Sequence, residues 1–270
     1  MNLAVVPPID VRAVLLAAMD AAAMDPAWHP LRYATREDAE EPDREAHPGI
    51  HPSDLAIGCN RSLVYATVNA PRDAWRHAST SDRRAQDSRT FDHGKMLHVL
   101  VQAYLQLAVD AGLLDVADVE VPTGPRHNIV GTMDALILKG GARMGIEIKS
   151  AGPSTYYGTK DMTRAVTALT QPVTAHRRQA AAYMRASGLE WFAFVYWDKA
   201  MDDFAVLPWR ADAETAEAVR REAEFGLEAA ERRILPARVT DVWKCGRCPF
   251  RSICSQDLPF ETFDRRHRAA

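Results

Sequence analysis

The four cysteines constrain the fold of this chain more than any other sequence feature. Cys245, Cys248 and Cys254 lie in one short, proline-containing stretch with the spacing C-x2-C-x5-C, which is a strong metal-ligand pattern. Cys59 precedes this group by 186 positions (245 − 59), so a site that uses all four thiols requires the fold to bring distant segments together. Four thiolates bind zinc or an iron–sulfur cluster, and the spacing alone does not distinguish the two.

The length and composition favour a soluble globular protein. The 270 residues, of which 47% are hydrophobic and 26% charged, suffice for one large domain or a domain with a small appended module. The apolar stretch 11–24 is interrupted by Arg12 and Asp20, so it predicts a core helix and not a signal peptide. No run approaches the length of a membrane-spanning helix, and we expect a cytoplasmic protein, in which cysteines bind metal more often than they form disulfides.

The net charge of −3 provides no overall attraction to nucleic acid. A DNA partner would therefore need local basic patches or bound metal ions, because phosphate affinity depends on the contacts made. Three candidate patches are residues 72–89, Arg177–Arg178 and 244–251. Each is also typical of an ordinary solvated surface.

The first part of the chain has helical patterning. Apolar spacing and turn signals predict the following elements in order: a helix over 9–24, an acidic surface loop over 34–52, a helix from Ser53 to Val68 capped by Ser53 or Asp54, a loop over 70–89, and a long helix over 90–112.

The second part alternates strands and helices. β-branched runs predict strands over 116–122, 128–138 and 142–150, with turns at 122–125 and 139–141. A helix over 173–187 that ends at Gly188, strands over 190–198 and 203–209, and a helix over 211–233 follow. This order predicts an α/β fold with a mixed central sheet flanked by helices.

Two acidic residues and a lysine form the strongest candidate for a catalytic site. Glu147 and Lys149 are two positions apart on a predicted strand, so both side chains project from one face while Ile146 and Ile148 point to the other. Asp134 lies on the preceding strand within a hydrophobic run, where an acid is costly unless it is paired or binds a cation. The hairpin through Gly140–Gly141 can place it beside Glu147, and two carboxylates that face one point suit Mg²⁺ or Mn²⁺.

Three further polar residues lie on predicted helices. His98 falls within the apolar run of its helix, with Gly94 one turn earlier, and a histidine there is either a core residue or a metal ligand. Gln179 and Tyr183 share one helix face at a spacing of four, with alanines between them that permit close packing. Gln179 can hydrogen-bond a water or phosphate, and Tyr183 can contact DNA or complete the core edge.

The order of these motifs resembles the RecB-like PD-(D/E)XK nucleases that carry an iron–sulfur cluster. The shared features are Gly-x-x-x-His, an Asp, Glu-x-Lys, Gln-x-x-x-Tyr, one early cysteine and three late ones, over about 53–254. The chain is most similar to the small stand-alone members, the CRISPR-associated and phage exonucleases. The position before Asp134, which is proline in the superfamily pattern, is Met133 here.

The resemblance implies a restriction-endonuclease-like core and a set of roles. His98, Asp134, Glu147 and the Ile148 carbonyl would bind one or two Mg²⁺ or Mn²⁺ ions, and Lys149 would be the catalytic lysine. Gln179 and Tyr183 would match the motif that follows the active site. Cys59, Cys245, Cys248 and Cys254 would hold a [4Fe–4S] cluster, chiefly structural, that fastens the early helix to the tail.

The resulting hypothesis divides the chain into three parts: residues 1–52, an N-terminal helix and acidic loop; 53–235, the nuclease core; and 236–270, a cysteine-rich iron–sulfur module. The expected activity is metal-dependent exonucleolytic hydrolysis of DNA, with a single-stranded end as substrate, in recombination, repair, CRISPR or phage DNA processing with partners from those systems. The alternatives are a catalytically weak DNA-binding or assembly protein with a structural cluster or zinc, a zinc-stapled nuclease, and a sequence-specific endonuclease.

Overall fold

The computed structural model describes residues 6–30, 49–72, 81–151, 169–198, 203–246, 248–258 and 260–263. Most of the predicted acidic loop, the segment 73–80 and most of the polar segment 151–172 lie outside these described residues.

Nine helices and five strands lie within the described residues. The helices are α1 (Val11–Met24), α2 (Pro52–Ile57), α3 (Asn60–Thr67), α4 (Ser81–Asp110), α5 (Thr174–Ser187), α6 (Ala213–Glu231), α7 (Val242–Gly246), α8 (Arg251–Gln256) and α9 (Phe260–Phe263). The strands are β1 (Val116–Arg126), β2 (Ile129–Lys139), β3 (Ala142–Ala151), β4 (Phe192–Asp198) and β5 (Asp203–Trp209).

The five strands form one mixed sheet in the order β1-β2-β3-β4-β5. The pairs β1–β2, β2–β3 and β4–β5 are antiparallel, whereas β3 and β4 are parallel and are connected through α5. The β2–β3 hairpin turns at Gly140 and Gly141, whose φ angles of 56° and 80° suit glycine. The predicted α/β fold with a mixed central sheet flanked by helices is therefore confirmed.

Helices cover both faces of the sheet. On one face, α1 and α4 pack against a cluster that includes Ile146 and Ile148 of β3, as predicted from the strand alternation. On the other face, α5 packs through Ala180 and its neighbours against the aromatic residues of β4. Both isoleucines are fully buried. Because side chains alternate along a strand, those of Glu147 and Lys149 project from the opposite face, away from that core.

A third apolar cluster joins the early helices to the C-terminal segment. Tyr65 of α3 contacts Phe250, with ring centroids 5.7 Å apart, and Ile253 and Phe260 belong to the same cluster. Residues of α6 complete it. The fold therefore brings the two segments that carry the cysteines together through apolar packing.

One predicted helix is two helices. We expected a single helix from Ser53 to Val68, but α2 ends at Gly58, which has a left-handed φ of 64°, and Cys59 is the N-cap of α3. The predicted cap residues are also wrong: His51 is the N-cap of α2, and Asp54 instead accepts a hydrogen bond from the His51 N–H at 3.0 Å. The glycine breaks the helix because it adopts the left-handed conformation at little steric cost.

Two other predicted boundaries differ from the structure. Helix α4 begins at Ser81, so part of the expected loop over 70–89 is helical. Strand β1 continues through the predicted turn at Pro122–Pro125 to Arg126, with an irregularity in its pairing between Thr123 and Arg126. The actual turn is at His127 and Asn128, whose φ angles of 54° and 61° allow a tight reversal.

Candidate active site and cysteine cavity

The Asp134 side chain on β2 contacts residues of two other elements. Its Oδ1 lies 3.4 Å from His98 Nδ1 on α4, and its Oδ2 accepts a hydrogen bond of 2.6 Å from the Ile148 N–H on β3. The pairing of β2 with β3 extends to Ala135 opposite Ile146, so the aspartate is adjacent to the strand segment that carries Glu147. The structure therefore brings His98, Asp134, Glu147 and Ile148 to one place, as the sequence predicts.

Glu147 and Lys149 form an ion pair on β3, and Gln179 of α5 also contacts the lysine. Lys149 Nζ lies 2.5 Å from Glu147 Oε1 and donates to Gln179 Oε1 at 3.2 Å. Glu147 is only 2% exposed, whereas the Lys149 side chain is 22% exposed. The lysine is thus the more accessible member of the pair, and the glutamine limits where its ammonium group can lie.

The electrostatics of the two acids differ. Burial raises the pKa of Glu147 to about 7; the ammonium group of Lys149 opposes this increase and the negative charge of Asp134 adds to it. Burial is the largest single effect on Asp134 and acts to raise its pKa, but the contact with His98, the charge of Lys149 and the hydrogen bond from the Ile148 N–H together lower this pKa below its usual value. In turn, the pKa of His98 is raised: burial opposes the proton, and the Asp134 carboxylate overcomes that effect. At neutral pH the aspartate is therefore charged, whereas the glutamate is near the midpoint of its titration.

A buried oxygen of Glu147 indicates what the site can bind. Its Oε2 has no hydrogen-bond partner among the residues that the structure describes. A buried, unpartnered carboxylate oxygen is costly, and a cation would relieve that cost. The donor set of two carboxylates and a histidine suits Mg²⁺ or Mn²⁺. Within the described ranges, however, no three histidine, cysteine or acidic side chains are close enough to hold an ion as they stand.

Tyr183 contacts the protein and not the solvent. It is 5% exposed, and its hydroxyl donates to the Thr132 carbonyl of β2 at 2.6 Å. The ring also lies beside Gly131, where an added Cβ would meet Tyr183 Cε1 at 3.4 Å and Pro52 Cδ at 2.9 Å. The hydroxyl therefore holds the strand segment just before Asp134, and of the two roles expected for Tyr183 the burial fits the core-edge residue.

Gln102 and Glu120 belong to this region, and the sequence analysis missed both. The Gln102 amide donates to Glu120 Oε1 and to the Asp134 carbonyl, each at 2.9 Å. Glu120 has a φ of 49° within β1, an uncommon conformation for a residue with a side chain. Gln102 could have been noticed because it lies one turn after His98 on the same face of α4. No sequence signal marks the backbone conformation of Glu120.

All four cysteines line one cavity. Its volume is about 200 Å³, and Arg61, Arg238, Lys244 and Arg251 are also in its wall. All four thiols are free, and burial raises the pKa of Cys248 to about 11, to which the neighbouring Cys59 and Cys254 contribute. The predicted convergence of Cys59 with the three late cysteines is therefore present in the fold. Cationic side chains around this cavity would favour an anionic thiolate group.

Polar contacts fasten the cysteine segments independently of any cofactor. Lys244 Nζ donates to the Gly58 carbonyl at 3.0 Å, next to Cys59. Arg61 donates to the Pro236 carbonyl and to Asp257, each at 3.0 Å. These contacts bridge residues far apart in sequence, so they hold the C-terminal segment against α3.

Two expected basic-patch residues have internal roles. Arg72 makes two hydrogen bonds to the buried Asp54 carboxylate, at 3.0 and 2.7 Å, and its guanidinium lies 4.8 Å from the Phe250 ring centre. Arg178 pairs with Glu222 and donates to the Leu55 carbonyl. Neither residue is therefore an open phosphate contact. The side chains of the other basic residues in 72–89 lie outside the described part.

Comparison with known proteins finds distant structural similarity. No family model matches the sequence, and no curated protein matches it either. The crystal structure of SSO0001 is similar at 20% identity and a TM-score of 0.44, covering 92% of this chain and 96% of that chain. An alkaline exonuclease, LHK-Exo, from Laribacter hongkongensis is similar at 13% identity and a TM-score of 0.43, covering 68% and 89%, and its complex with dAMP gives the same values.

As for membrane association, no described helix is both long and apolar enough to cross a bilayer.

Proposed function

We propose that this protein is a metal-dependent nuclease that hydrolyses DNA phosphodiester bonds, with Asp134, Glu147 and Lys149 at its centre. The observation that carries the proposal is the buried pair of carboxylates beside a partly exposed lysine, with Glu147 Oε2 unpartnered within the described residues. A fold gains nothing in stability from an unpartnered buried carboxylate oxygen, whereas a cation site requires one. The order of motifs in the sequence supports the same activity.

Each residue has a distinct part in this proposal. Asp134, Glu147, His98 and the Ile148 carbonyl would hold one or two Mg²⁺ or Mn²⁺ ions. When bound, the cation would polarise the scissile phosphate and lower the pKa of water. Lys149 would stabilise the negative charge that develops on the phosphate, since its ammonium is accessible and held by Gln179. Tyr183 would keep the Asp134 strand in position through Thr132.

The four cysteines would hold a [4Fe–4S] cluster in this proposal. A single zinc ion requires four sulfurs at ~2.3 Å from one point. The four thiols line one cavity of about 200 Å³. A cavity of this size has room for a group of several atoms. Its role would be structural, because the cluster would join α3 to the C-terminal segment.

The proposed substrate is DNA with a free, single-stranded end, in recombination, repair, CRISPR or phage DNA processing. The test is incubation of purified protein with end-labelled linear DNA, single- and double-stranded, and with covalently closed circles, in Mg²⁺, Mn²⁺ or EDTA. An exonuclease digests the linear substrates, spares the circles and is inactive in EDTA. Equal digestion of closed circles would instead indicate an endonuclease, and absence of cleavage in every metal would refute the proposal.

Asp134→Asn and Glu190→Gln provide a matched pair of variants. Each removes one negative charge by a nearly isosteric change. Asp134 belongs to the proposed site, whereas Glu190 is 72% exposed and paired with Arg210 at the surface. Only the first substitution should abolish cleavage.

A further inference from the structure

The buried side chain of Gln102 joins helix α4 to two strands of the sheet. Its amide nitrogen donates to the Asp134 carbonyl of β2 and to Glu120 Oε1 of β1, each at 2.9 Å, and the residue is only 6% exposed. A carbonyl and a carboxylate oxygen accept hydrogen bonds, so the nitrogen of the amide and not its oxygen must face them. The two N–H groups of one amide therefore attach α4 to β1 and β2 at a single point.

The strand pairing is interrupted where this amide binds. The residues on either side are register partners, but among the described residues Glu120 and Asp134 are not partners themselves. Glu120 has a φ of 49°, far from the value of about −140° that is typical of an antiparallel strand. On the other side, the pairing of β2 with β3 ends at Ala135, one residue before Asp134 is reached. The Gln102 amide therefore supports the Asp134 backbone at a gap in the regular pairing.

His98 and Gln102 attach the same helix to the same aspartate. His98 Nδ1 lies 3.4 Å from Asp134 Oδ1, and Gln102, four residues later on α4, binds the Asp134 carbonyl. A separation of 3.4 Å is longer than an ordinary hydrogen bond, whereas 2.9 Å is the usual length. The amide therefore constrains the position of the aspartate relative to α4 more closely than the histidine does.

We propose that Gln102 is a positioning residue that fixes His98 relative to Asp134 and thereby sets the affinity of the site for a divalent cation. The inference rests on the proposed metal-dependent nuclease function and adds to it a residue that need not touch the cation or the DNA. A cation binds tightly where its ligands are already held in place, because binding then orders little of the protein. Residues that orient metal ligands typically contribute roughly 10- to 100-fold in metal affinity.

The first experiment is a calorimetric titration of metal-free protein with Mn²⁺ alone. Gln102→Met keeps the length of the side chain and removes both donors, and it should weaken Mn²⁺ binding about 10-fold. Gln106→Met is the matched control, because Gln106 lies one turn further along α4 and donates to the Ala117 carbonyl of β1. Ala117 is opposite Ile137, three residues along β2 from Asp134. The control therefore loses a comparable bond between helix and sheet and should bind Mn²⁺ as the wild type does.

The second experiment measures DNA cleavage over a series of Mn²⁺ concentrations. In Gln102→Met the concentration for half-maximal cleavage should rise about 10-fold, while the rate at saturating Mn²⁺ stays within about 3-fold of the wild type, because the residue acts on metal binding. Gln102→Asn keeps an amide but is one methylene shorter, so it cannot reach both acceptors, and it should shift the half-maximal concentration in the same direction. Melting temperatures in EDTA show whether each variant remains folded, and the asparagine variant replaces the methionine variant if the latter does not fold.

A double-mutant cycle with His98→Ala tests the route of the effect. If Gln102 acts by fixing His98 relative to Asp134, the loss of Mn²⁺ affinity caused by Gln102→Met should nearly vanish once the imidazole is absent. A residue that only supports the fold would cause the same loss in both backgrounds.

Four results would overturn the proposal. Wild-type Mn²⁺ affinity in both Gln102 variants, in a protein that binds Mn²⁺ and cleaves DNA, would restrict Gln102 to packing. Equal losses of affinity in Gln102→Met and Gln106→Met would show that any bond between α4 and the sheet has this effect. Additive losses in the cycle would show that Gln102 does not act through His98. A wild type that neither binds Mn²⁺ nor cleaves DNA would refute the proposed function itself, and this inference with it.

Discussion

The Glu147 side chain is buried, 2% exposed, and only its Oε1 contacts Lys149. Glu147→Gln keeps the shape and removes the charge. We expect cleavage to fall by at least about 100-fold, because a neutral amide is a poor ligand for a divalent cation. The melting temperature in EDTA should stay the same or rise, since the substitution removes a buried charge.

Cleavage assays with Mn²⁺ and thermal unfolding in EDTA measure the two effects on one protein preparation. Near wild-type cleavage by the variant would show that Glu147 is not a metal ligand. A large decrease in melting temperature would mean that the charge serves stability instead.

The raised pKa of Glu147 predicts how pH changes the effect of metal. Burial is the main cause of the shift, from 4.5 to about 7. Between these values the folded protein binds a proton that the unfolded chain has released, so the stability that this group contributes at low pH decreases as the pH rises through about 7. Metal binds only the deprotonated carboxylate, so Mn²⁺ should raise the melting temperature little at about pH 5.5 and by several degrees at about pH 8.

Glu147→Gln is the control for this pH series, because it has no proton to lose. The difference between the two pH values should shrink in that variant. An equal gain from Mn²⁺ at both pH values in the wild type would contradict the assignment.

At the level of elements, the break between α2 and α3 sets the position of Cys59. Gly58→Ala places a side chain at a φ of 64°, which costs about 1 to 2 kcal/mol. The nearest atoms to an added Cβ are the ends of Arg178 and Lys244 at 3.6 and 3.9 Å, so backbone strain and not crowding is the cause. We expect a lower melting temperature and a lower yield of bound iron in the variant.

Gly246→Ala is a matched control, because Gly246 lies between Cys245 and Cys248 and an added Cβ would meet nothing within 4 Å. Its φ also lies outside the left-handed range. It should leave both measurements unchanged. An equal loss of iron in both variants would show that the site tolerates no added methyl group, whatever the backbone conformation.

Sequence patterns predicted the regular elements well and their interruptions poorly. The strands of the sheet and the end of α5 at Gly188 follow from β-branched runs and from a glycine at a helix end. The break at Gly58 was not predicted because the apolar spacing on either side continues as if through one helix. Strand β1 passes through two prolines because it lies at the edge of the sheet, where a residue without an N–H is tolerated.

For the whole molecule, substitution of the cysteines tests both the stability of the fold and the binding of the cofactor. A cluster bound to Cys59 and the late cysteines would close a loop of nearly the whole core, and closing a loop of this length is worth about 5 kcal/mol in the chain-entropy model. Cys59→Ala should therefore lose iron, sulfide and several degrees of melting temperature, as Cys248→Ala should. Cleavage should fall only in proportion to the loss of folded protein.

Iron, sulfide and zinc analysis of anaerobically purified wild type and variants shows which metal is bound and whether Cys59 is a ligand. Full iron content in Cys59→Ala would show that Cys59 is a core thiol. Stoichiometric zinc without iron in the wild type would replace the cluster with a zinc site.

The site itself was predictable where its residues are close in sequence. Glu147 and Lys149 share a strand face, and one tight hairpin brings Asp134 to them. The contacts between Gln102 and Glu120, and between His176 and Tyr196, join elements whose relative placement depends on packing of the whole core. Local sequence patterns carry no information about that placement, so these two contacts could not be predicted from the sequence.

The connectivity of the sheet predicts an order of assembly. Strands β1, β2 and β3 are joined by tight turns, whereas the parallel partner β4 follows only after the segment that contains α5, and the late cysteines follow after that. Contacts between near neighbours in sequence form faster than distant ones. In refolding, native hydrogen-exchange protection should therefore appear first in 116–151, and the thiols should come within reach of one another last. The acidic residues are thus gathered before the part of the chain that would bind the cluster.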